Sequence, residues 1–460
     1  MTQDHQFPRR TFLKTGLAAA AGSFILPRFS IAKSGPAANS KINVALIGAG
    51  GIASMAYLGL KDENIVALCD VDSAKFGEHL ERFPEITHAK TFKDFRVMLD
   101  KLGNEIDAVV IGTPDHTHFV ATMDAMQRGK HVYTQKPLTH SLWECRTLKK
   151  AKDKYKLVTC MGNQGHASDG IRQMKEWIDA DVFGQISRID SWQTGGGWGV
   201  PAGTIPTADR VPDTLDWELW LGPAPHVPFY RRFHPLGWRR WRPFGAGMLG
   251  DWFPHIADGP VWGLDLYDPI AIEAEVTEEG SEWLTPKTLR IRWDFAARGN
   301  KAPCSLFWHN GEGTPNPHIP SKPTAWTWDS DLPSGSLYHG SKAMGFTDNR
   351  SSNPRLANKE QMKAFKAAGY PAEKYPRVPS KDPFKEWAAA IKGTGPEPGS
   401  NFDYASKFTE VQLLGVLAGR FGGRIEWDST NFKVTNRPEL NQYLKDPIRD
   451  GWAYGNELWI

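Results

Sequence analysis

The sequence predicts an α/β protein in which a doubly wound parallel sheet is followed by an α+β domain with a largely antiparallel open sheet. As far as residue 162, short apolar runs typical of strands buried on both faces alternate with helical patterns. Farther along, apolar runs such as 185–193 alternate partly with polar residues, as in strands with one solvated face. A chain of 460 residues is also too long for one hydrophobic core. The predicted boundaries are 1–40 for a signal and linker, 41–162 and 163–430 for two domains, and 431–460 for a C-terminal arm.

The first predicted strand leads directly into a glycine-rich turn. The apolar run 42–47 is followed by Gly48, Gly50 and Ala53, which fit the pattern G-x-G-x-x-G/A. The first glycine permits a tight turn, the second lets the backbone approach a pyrophosphate, and the small third residue lets the helix pack on the strand. The helix N-terminus points free N–H groups at the phosphates. The predicted cofactor contacts in this turn are Gly48, Gly50, Gly51 and Ile52.

An acidic residue ends the second strand. The apolar run 65–69 is followed by Asp70, about twenty residues beyond the glycines, as in the dinucleotide fingerprint. A carboxylate there accepts hydrogen bonds from an adenosine ribose and repels a 2′-phosphate, which favours NAD over NADP. The alternative is a tight turn that binds nothing. Strand, glycine turn, helix, strand and acid in this order favour an NAD site.

Polar residues follow two further strands of the first domain. The strand predicted over 107–112 stops at Thr113-Pro114, and His118 lies one turn into the next helix. The strand predicted over 130–134 ends in Gln135-Lys136-Pro137. Ligands bind at the carboxyl ends of strands in such sheets, so Thr113, His118 and Lys136 are candidate site residues.

A second candidate cluster lies far along the chain. Asp251 and His255 are four residues apart, so on a helix they project from the same face. Pro254 is tolerated only in a first helical turn, which predicts that the helix starts close to Asp251. Both side chains are then expected at the mouth of the helix, facing a cleft.

These motifs together resemble the Gfo/Idh/MocA oxidoreductases, a family that includes glucose–fructose oxidoreductase and inositol dehydrogenase. The resemblance rests on the glycine fingerprint, the T-P-x-x-x-H turn and the x-K-P turn, in this order. It implies a Rossmann domain that holds NAD. Gln135 stands where the family usually has glutamate, which removes a negative charge beside the lysine. The cofactor contacts implied after the glycine turn and Asp70 are Thr113, Pro114, His118, Gln135 and Lys136.

The resemblance also implies roles at the substrate. Lys136 matches a lysine that contacts both nicotinamide and substrate, and Asp251 and His255 match the family pattern G-G-G-x-L-x-D-x-x-x-H. There His255 takes the hydroxyl proton, while Asp251 orients the imidazole or binds a neighbouring hydroxyl. Asn163 and His166 are expected to face the nicotinamide end, where His166 either binds a sugar hydroxyl or caps the next helix. Family members use the second sheet to form dimers or tetramers, so a homo-oligomer is expected.

The N-terminus has the pattern of an export signal. Arg9 and Arg10 are followed by Thr-Phe-Leu-Lys and by a mildly apolar run over 16–26, which is too short to span a membrane. Small residues near Ala32 offer a cleavage site, with Ala38 as a competitor. The alternative is a basic tail without regular structure. Recognition by the twin-arginine export machinery would place the folded protein in the periplasm, with its NAD trapped inside.

Composition excludes several classes of partner. The net charge of +3 arises within the first 32 residues, so the remainder is near neutral, which argues against nucleic acid or an anionic membrane surface. No later segment is apolar enough to span a bilayer. The four cysteines have no metal-binding spacing, and a disulfide framework is not expected. Eight of the nineteen tryptophans lie between residues 192 and 262, where they either wall a sugar pocket or pack on the second sheet.

The remaining segments carry weaker patterns. Apolar runs over 269–276, 288–293 and 304–308 predict strands of the second sheet. Residues 310–380 are rich in Pro, Gly, Ser and Lys, which predicts loops. Amphipathic helices are expected over 382–391 and 405–420, before an irregular C-terminal arm that could reach a neighbouring subunit.

Three functions are compatible with these patterns. The first is an NAD-dependent oxidoreductase acting on a sugar or polyol, with cofactor recycling by a second substrate. The second is a glycosidase that uses transient oxidation, elimination, water addition and re-reduction, and so needs no carboxylate pair. The third is a carbohydrate-binding relic with structural NAD, supported only by Gln135. Export with a trapped cofactor favours a redox-neutral scheme.

Overall fold

A computed structural model describes residues 41–195, 198–201, 203–278, 280–311 and 319–460. The predicted twin-arginine motif and the cleavage site near Ala32 lie outside these residues. Within them, no helix combines the length and apolar character needed to cross a bilayer. All four cysteines are buried and free, as expected. The described residues form two sheets, of six and nine strands.

The first sheet is parallel and covered on both faces. Its strands are β1 (Asn43–Ile47), β2 (Asn64–Cys69), β3 (Lys90–Phe92), β4 (Ala108–Ile111), β5 (His131–Gln135) and β6 (Thr159–Gly162). Their spatial order is β3–β2–β1–β4–β5–β6. Val44 and Leu46 of β1 pack into one hydrophobic core, and the alternate residues Ala45 and Ile47 pack into another. The predicted doubly wound parallel sheet is confirmed.

Helices connect these strands, as the alternating pattern predicts. They are α1 (Ala53–Leu60), α2 (Ala74–Arg82), α3 (Phe95–Leu102), α4 (Asp115–Gln127) and α5 (Leu142–Tyr155). Asp94 begins α3 by accepting the Arg96 N–H, and Ser141 and Glu144 form a capping box at the start of α5. These caps fix where the chain enters each helix.

The second sheet is antiparallel except between its central pair. Its strands are β7 (Ile186–Thr194), β8 (Ala271–Glu278), β9 (Thr288–Phe295), β10 (Cys304–Gly311), β11 (Gly335–Gly340), β12 (Met344–Asp348), β13 (Arg355–Leu356), β14 (Gly423–Asp428) and β15 (Lys433–Val434). The spatial order is β13–β12–β11–β7–β10–β9–β8–β14–β15, with β7 and β10 parallel. The predicted largely antiparallel sheet is confirmed. Its accompanying helices are α6 (Asp169–Asp179), α7 (Trp217–Leu221), α8 (Gly247–Ile256), α9 (Asp258–Leu264), α10 (Lys359–Ala368), α11 (Pro383–Ile391) and α12 (Phe402–Phe421).

Two late helices pack on elements formed much earlier in the chain. Phe384 and Trp387 of α11 belong to the core on the α1 side of the first sheet, where Gly59 lets Phe384 approach. Helix α12 contacts α5 and β6 of the first sheet and β8, β9 and α8 beyond it. It is buried on all sides rather than along one stripe, so the amphipathic helix predicted over 405–420 is present but is not amphipathic.

The prediction of loops over residues 310–380 is wrong. This segment holds strands β11 to β13 and helix α10. Strand β11 pairs with β7, and Tyr338 lies opposite Ile189 in that ladder. The strands are short and contain glycines, so their local sequence signal is weak, and the pairing partner comes from a distant part of the chain.

The C-terminal arm is largely irregular, as predicted, and it packs against the first sheet's own helices. The Trp143 N–H at the start of α5 donates to the Leu444 carbonyl at 2.8 Å. Trp452 is buried, and the Arg96 guanidinium of α3 lies 4.0 Å from the centre of its ring. Contact of this arm with a neighbouring subunit stays a prediction.

Candidate active site

A cleft of about 430 Å³ lies at the carboxyl ends of the first sheet's strands. Gly48 follows β1, Asp70 follows β2, Thr113 lies just beyond β4, and Gln135 and Lys136 lie at the end of β5; all five line the cleft. The parallel order of the strands brings these ends to one edge, because every strand points the same way. The cleft thus unites residues that are almost ninety positions apart.

The glycine turn fits a dinucleotide phosphate. Gly48 has φ +93°, and a Cβ there would lie 2.7 Å from the Gly112 carbonyl oxygen. Among the described residues, the backbone N–H groups of Gly50, Gly51 and Ile52 have no hydrogen-bond partner, although all three residues line the cleft. Free N–H groups at a helix N-terminus are the donors that a pyrophosphate requires. The chain's own geometry therefore suits NAD here.

Replacing Gly48 by alanine is expected to lower the free energy of unfolding by about 1–3 kcal/mol. The backbone at Gly48 has a positive φ, and an added Cβ would collide with Gly112. Loss of the turn should also abolish retention of NAD through purification. The matched control is Gly77→Ala in α2, where a Cβ meets nothing within 4 Å, so that variant should be slightly stabilised. Thermal unfolding and the nucleotide content of both variants test this. Equal stability of the two variants would contradict it.

Asp70 holds the glycine turn as well as lining the cleft. Its carboxylate accepts the Ala49 N–H at 2.8 Å and the Asp72 N–H at 2.9 Å. Burial raises the pKa of Asp70, and these two backbone donors oppose that rise. Each oxygen keeps a further lone pair for a ribose hydroxyl. The predicted ribose contact stays a prediction, while the bracing of the turn is a role that the sequence analysis missed.

The T-P turn reaches the cleft, but His118 does not. Thr113 and Pro114 line the cleft wall. One ring nitrogen of His118 lies 2.7 Å from the Pro137 carbonyl oxygen and the other lies 2.9 Å from the Thr113 carbonyl oxygen. His118 is buried behind the wall and does not line the cleft, so its predicted cofactor contact is not observed. Its two ring nitrogens instead link the backbone of the T-P turn to that of the K-P turn.

Lys136 and Asp251 form an ion pair at one end of the cleft. The Lys136 ammonium donates to Asp251 Oδ1 at 2.5 Å and to the Asp251 backbone carbonyl at 2.7 Å. Arg239 Nε lies 3.6 Å from the same carboxylate oxygen. Burial would raise the pKa of Asp251, but the charges of Lys136 and Arg239 outweigh burial and lower it. Asp251 is therefore a carboxylate shared by two cations.

Helix α8 does not start where the sequence predicts. It begins at Gly247, so Asp251 lies inside the helix and Pro254 lies near its end. Proline at 254 leaves the Gly250 carbonyl without its helical donor. The Gln412 side-chain amide of α12 supplies that bond at 3.0 Å and also donates to the Leu249 carbonyl at 2.8 Å. A tertiary donor therefore permits the internal proline, and the predicted helix start close to Asp251 is wrong.

His255 lies one turn after Asp251 and lines the same end of the cleft. Burial, together with the positive charge of Lys136, lowers its pKa to about 3. The imidazole is therefore neutral near pH 7 and able to accept a proton. Its Nδ1 is buried and has no partner among the described residues. The Asp251 carboxylate binds Lys136 and makes no hydrogen bond to His255, so of the two predicted roles for Asp251, orienting the imidazole is not observed.

The other predicted substrate residues lie deeper. Asn163 is fully buried and does not line the cleft, although its neighbour Gln164 does. His166 is buried with Nδ1 3.0 Å from Asp258 Oδ1, and Ser168 rather than His166 caps α6. The helix cap predicted for His166 is therefore wrong, and a sugar contact of this buried residue is not observed. The Gln135 side-chain nitrogen lies at the cleft, buried and without a partner in the described part of the chain.

The tryptophan-rich region divides into core and cleft residues. We call residues 211–244 the aromatic segment. Trp217 and Trp241 lie in its own hydrophobic core, whereas Trp220 and Trp238 also line the cleft. These four tryptophans therefore pack with their own segment rather than on the second sheet, and a sugar contact of Trp220 or Trp238 stays a prediction. The run Trp238-Arg239-Arg240-Trp241 is the local signal through which Arg239 could have been found.

The aromatic segment is hydrogen-bonded to the β2–α2 turn of the first sheet. The Ser73 N–H donates to the Thr214 carbonyl and the Asp216 N–H donates to the Val71 carbonyl, both at 2.9 Å. His234 Nε2 lies 3.2 Å from Asp72 Oδ2. His234 lines the cleft, as do Asp70 and Val71. The segment therefore covers the end of the cleft beside Asp70.

Comparison with known proteins shows which proteins this chain resembles in sequence. Residues 42–163 match the GFO_IDH_MocA family, described as an oxidoreductase family with an NAD-binding Rossmann fold. The D-glucoside 3-dehydrogenase of Escherichia coli is 25% identical over 289 residues, which are 58% of this chain and 78% of that protein. The inositol 2-dehydrogenase of Salmonella typhimurium is 22% identical over 188 residues, 39% of this chain and 53% of that protein.

Other relatives match over shorter segments. The glucose-6-phosphate 3-dehydrogenase of Bacillus subtilis is 24% identical over 149 residues, 32% of this chain and 40% of that protein. Several curated relatives are thus matched over about half of their length or less.

Solved structures share the fold. The WlbA dehydrogenase from Bordetella pertussis, crystallised with NADH and UDP-GlcNAcA, superposes with a TM-score of 0.56 at 16% identity, covering 84% of this chain and 99% of that one. GenD2 from gentamicin A biosynthesis, crystallised with NAD, gives a TM-score of 0.57 at 14% identity, covering 86% and 99%. These likenesses confirm the predicted sequence of a Rossmann sheet and a second, mostly antiparallel sheet. Residues 42–163 are thus similar to the NAD-binding Rossmann domain of the GFO_IDH_MocA oxidoreductase family.

Proposed function

We propose that the protein is an exported NAD-dependent oxidoreductase that transfers hydride between a sugar or polyol carbon and a tightly held nicotinamide cofactor. One observation carries the proposal. Lys136, Asp251 and His255 come from two separate motifs and meet in the cleft that also contains the glycine turn. Relatives named for glucosides and inositol support a sugar or polyol as the substrate class.

The residues divide the proton chemistry between them. Bound NAD supplies the hydride acceptor. His255, neutral at physiological pH, accepts the hydroxyl proton at an imidazole nitrogen. The Lys136 ammonium donates a hydrogen bond to the substrate oxygen, which stabilises the negative charge that develops there. Asp251 holds that ammonium in place, and its negative charge favours the imidazolium that His255 becomes.

Tight retention of the cofactor is supported by the aromatic segment. Its two backbone hydrogen bonds and the His234–Asp72 contact join the end of β2 to residues from the second half of the chain. These contacts cover the cleft beside Asp70, which supports slow release of a nucleotide held there. This suits an exported protein, which meets little free NAD outside the cytoplasm.

The direct test is the nucleotide that accompanies the purified protein. We expect denaturation to release about one equivalent of NAD per chain, and a sugar or polyol substrate to reduce the bound cofactor before denaturation. The nicotinamide absorbance of the native protein follows the second step. Protein that purifies without nucleotide and binds free NAD loosely would contradict the tightly held cofactor, and absence of reduction by any sugar or polyol would contradict the redox activity.

A redox-neutral glycosidase reaction is the second candidate. A retained cofactor that cannot exchange favours a cycle in which the sugar is oxidised, eliminates its substituent, adds water and is reduced again. This reaction predicts release of nitrophenol from nitrophenyl glycosides of both anomers, with exchange of a sugar C–H for solvent deuterium. If neither nitrophenol release nor deuterium exchange is observed, the glycosidase reaction is contradicted and net oxidation remains as the enzymatic function.

Export rests on Arg9 and Arg10. Replacing both by lysine is expected to leave the protein in the cytoplasm, because the twin-arginine machinery distinguishes arginine from lysine at these positions. The matched control is Arg28→Lys, which lies outside the motif and should be exported normally. Cell fractionation followed by immunoblotting measures both. A double variant that still reaches the periplasm would contradict twin-arginine export.

We also propose a homo-oligomer. The face of the second sheet that carries Arg188, Phe307 and Arg292 supports this proposal. The Arg188 guanidinium lies 4.3 Å from the centre of the Phe307 ring, and Arg188 and Arg292 keep nearly half of their side-chain surface exposed. An aromatic ring flanked by arginines on an open sheet face is typical of a protein interface.

A further inference from the structure

Positive charge exceeds negative charge at the end of the cleft that holds His255. Three cationic side chains line it there: Lys136, Arg239 and Arg350. Asp251 is the acid that Lys136 and Arg239 share. The other acid of this wall, Asp115, is buried and accepts the Ala246 N–H at 3.2 Å. Of the three cations, Arg350 has no acidic group within 4.0 Å among the described residues.

The backbone that presents Arg350 is held in an unfavourable conformation. Arg350 and Ser351 have φ of +57° and +50°, in the left-handed region that bulky residues avoid. Ser351 Oγ accepts the Gly259 N–H of α9 at 2.9 Å, and this hydrogen bond holds the turn at Arg350 against α9. A Cβ at Gly165 would lie 2.9 Å from the Arg350 carbonyl oxygen, so the turn also packs closely on the 164–167 turn. The backbone at Arg350 is thus held by contacts on both sides, while the residue itself is exposed.

Arg350 lies near the proposed base and away from the glycine turn. Its charge acts on His255 in the same direction as that of Lys136. The phosphates of NAD are accounted for by the free N–H groups of the glycine turn, which follows β1 on the first sheet. Arg350 follows β12 on the second sheet. Its guanidinium is therefore available to a substrate group rather than to the cofactor.

We infer that Arg350, with Arg239 beside the shared carboxylate, binds an anionic substituent of the sugar substrate, a carboxylate or a phosphate. A planar guanidinium pairs with either group through two parallel hydrogen bonds. The inference rests on the proposed function, because it names the substrate class of the same site. It divides the cleft into a reacting end at Lys136 and His255 and an anion subsite at Arg350.

Three probes with the same ring test the inference: glucose, glucuronate and glucose 6-phosphate. We expect kcat/KM for reduction of the bound cofactor by one of the anionic probes to exceed that of glucose. Arg350→Ala should lower this anion preference by about 30-fold, and Arg350→Lys should lower it less, because lysine keeps the charge but loses the paired geometry. The two anionic probes distinguish a carboxylate from a phosphate.

The control is Arg210→Ala, which removes an exposed arginine paired with Asp213 outside the cleft and should leave the preference unchanged. Equilibrium binding of the three probes to the holoprotein, followed by tryptophan fluorescence, is measured beside turnover. Tighter binding of an anionic probe that weakens in Arg350→Ala and at high salt supports the anion subsite.

The outcomes separate this inference from the proposed function. Equal kcat/KM values for glucose and both anionic probes would overturn the anion subsite, as would an anion preference that is unchanged in Arg350→Ala. Reduction of the cofactor by the probes would still support the redox activity in either case. Failure of every probe to reduce the cofactor would count against the redox activity, and the binding measurements would still decide whether Arg350 selects anions.

Discussion

Lys136→Met is expected to lower kcat by about 10³-fold, the loss typical of removing one donor that stabilises developing charge on a reacting oxygen. The substitution keeps much of the side-chain volume and removes the ammonium that donates to Asp251 Oδ1 at 2.5 Å. Because Lys136 lowers the pKa of His255, the variant should also raise that pKa. Its residual activity should then decline at a higher pH on acidification than that of the wild type.

The control for this variant is Lys152→Met. Lys152 of α5 is buried to a similar extent, with 11% of its side chain exposed against 14% for Lys136, and it pairs with Asp403 and Glu397 away from the cleft. Both variants lose an ion pair, but only Lys136→Met should lose turnover. Single-turnover reduction of the bound cofactor measures this. Similar rate losses in both variants would show that Lys136 acts through stability alone.

His255→Gln is expected to lower kcat by about 10²–10⁴-fold, the usual contribution of a general base. Glutamine keeps a polar group of similar reach but cannot accept the hydroxyl proton near pH 7. The matched control is His131→Gln at the start of β5, the end of the strand opposite to the cleft. Burial lowers the pKa of that histidine to about 4, so both substitutions remove a neutral imidazole. Full activity of His255→Gln would exclude His255 as the base.

The pH dependence follows from the pKa of His255. Protonation inactivates a general base, so kcat/KM should fall only as the pH approaches about 3 in the free holoprotein. An imidazole with its ordinary pKa would already lose activity below about pH 6.5. We therefore expect no acid limb caused by His255 between about pH 5 and pH 8. A limb near pH 6.5 that disappears in His255→Gln would contradict the buried, neutral imidazole.

Local patterns predicted the first sheet well because its strands are short, apolar on both faces and followed by distinctive turns. The glycine turn, Asp70 and Lys136 all occupy the positions expected of them. The second sheet was predicted in part. Strands β8 to β10 have apolar runs, whereas β11 and β12 are short and contain glycines, and β13 has only two residues. Strand β11 pairs with the distant β7, and β12 and β13 follow it in the sheet, a pairing that no local pattern predicts.

The roles of the histidines show where motif reasoning fails. His118 and His166 occupy motif positions next to the cleft, but each points into the protein and binds a carbonyl or Asp258. His255 reaches the cleft. The direction of a side chain depends on the start and phase of its element. Helix α8 illustrates this, because the Gln412 amide allows a proline inside the helix, which begins at Gly247 rather than close to Asp251.

The sequence by itself predicted the Rossmann sheet, its dinucleotide fingerprint and the candidate residues Lys136, Asp251 and His255, because each lies in a short motif that can be recognised without the fold. The tertiary structure decided how these residues are partnered. In the folded protein, Asp251 pairs with Lys136 and Arg239 rather than with His255. His118 and His166 are buried, whereas Arg350 and residues of the aromatic segment line the cleft. Such ion pairs, hydrogen bonds and packing contacts join residues far apart in the chain, so they form only when the chain is folded.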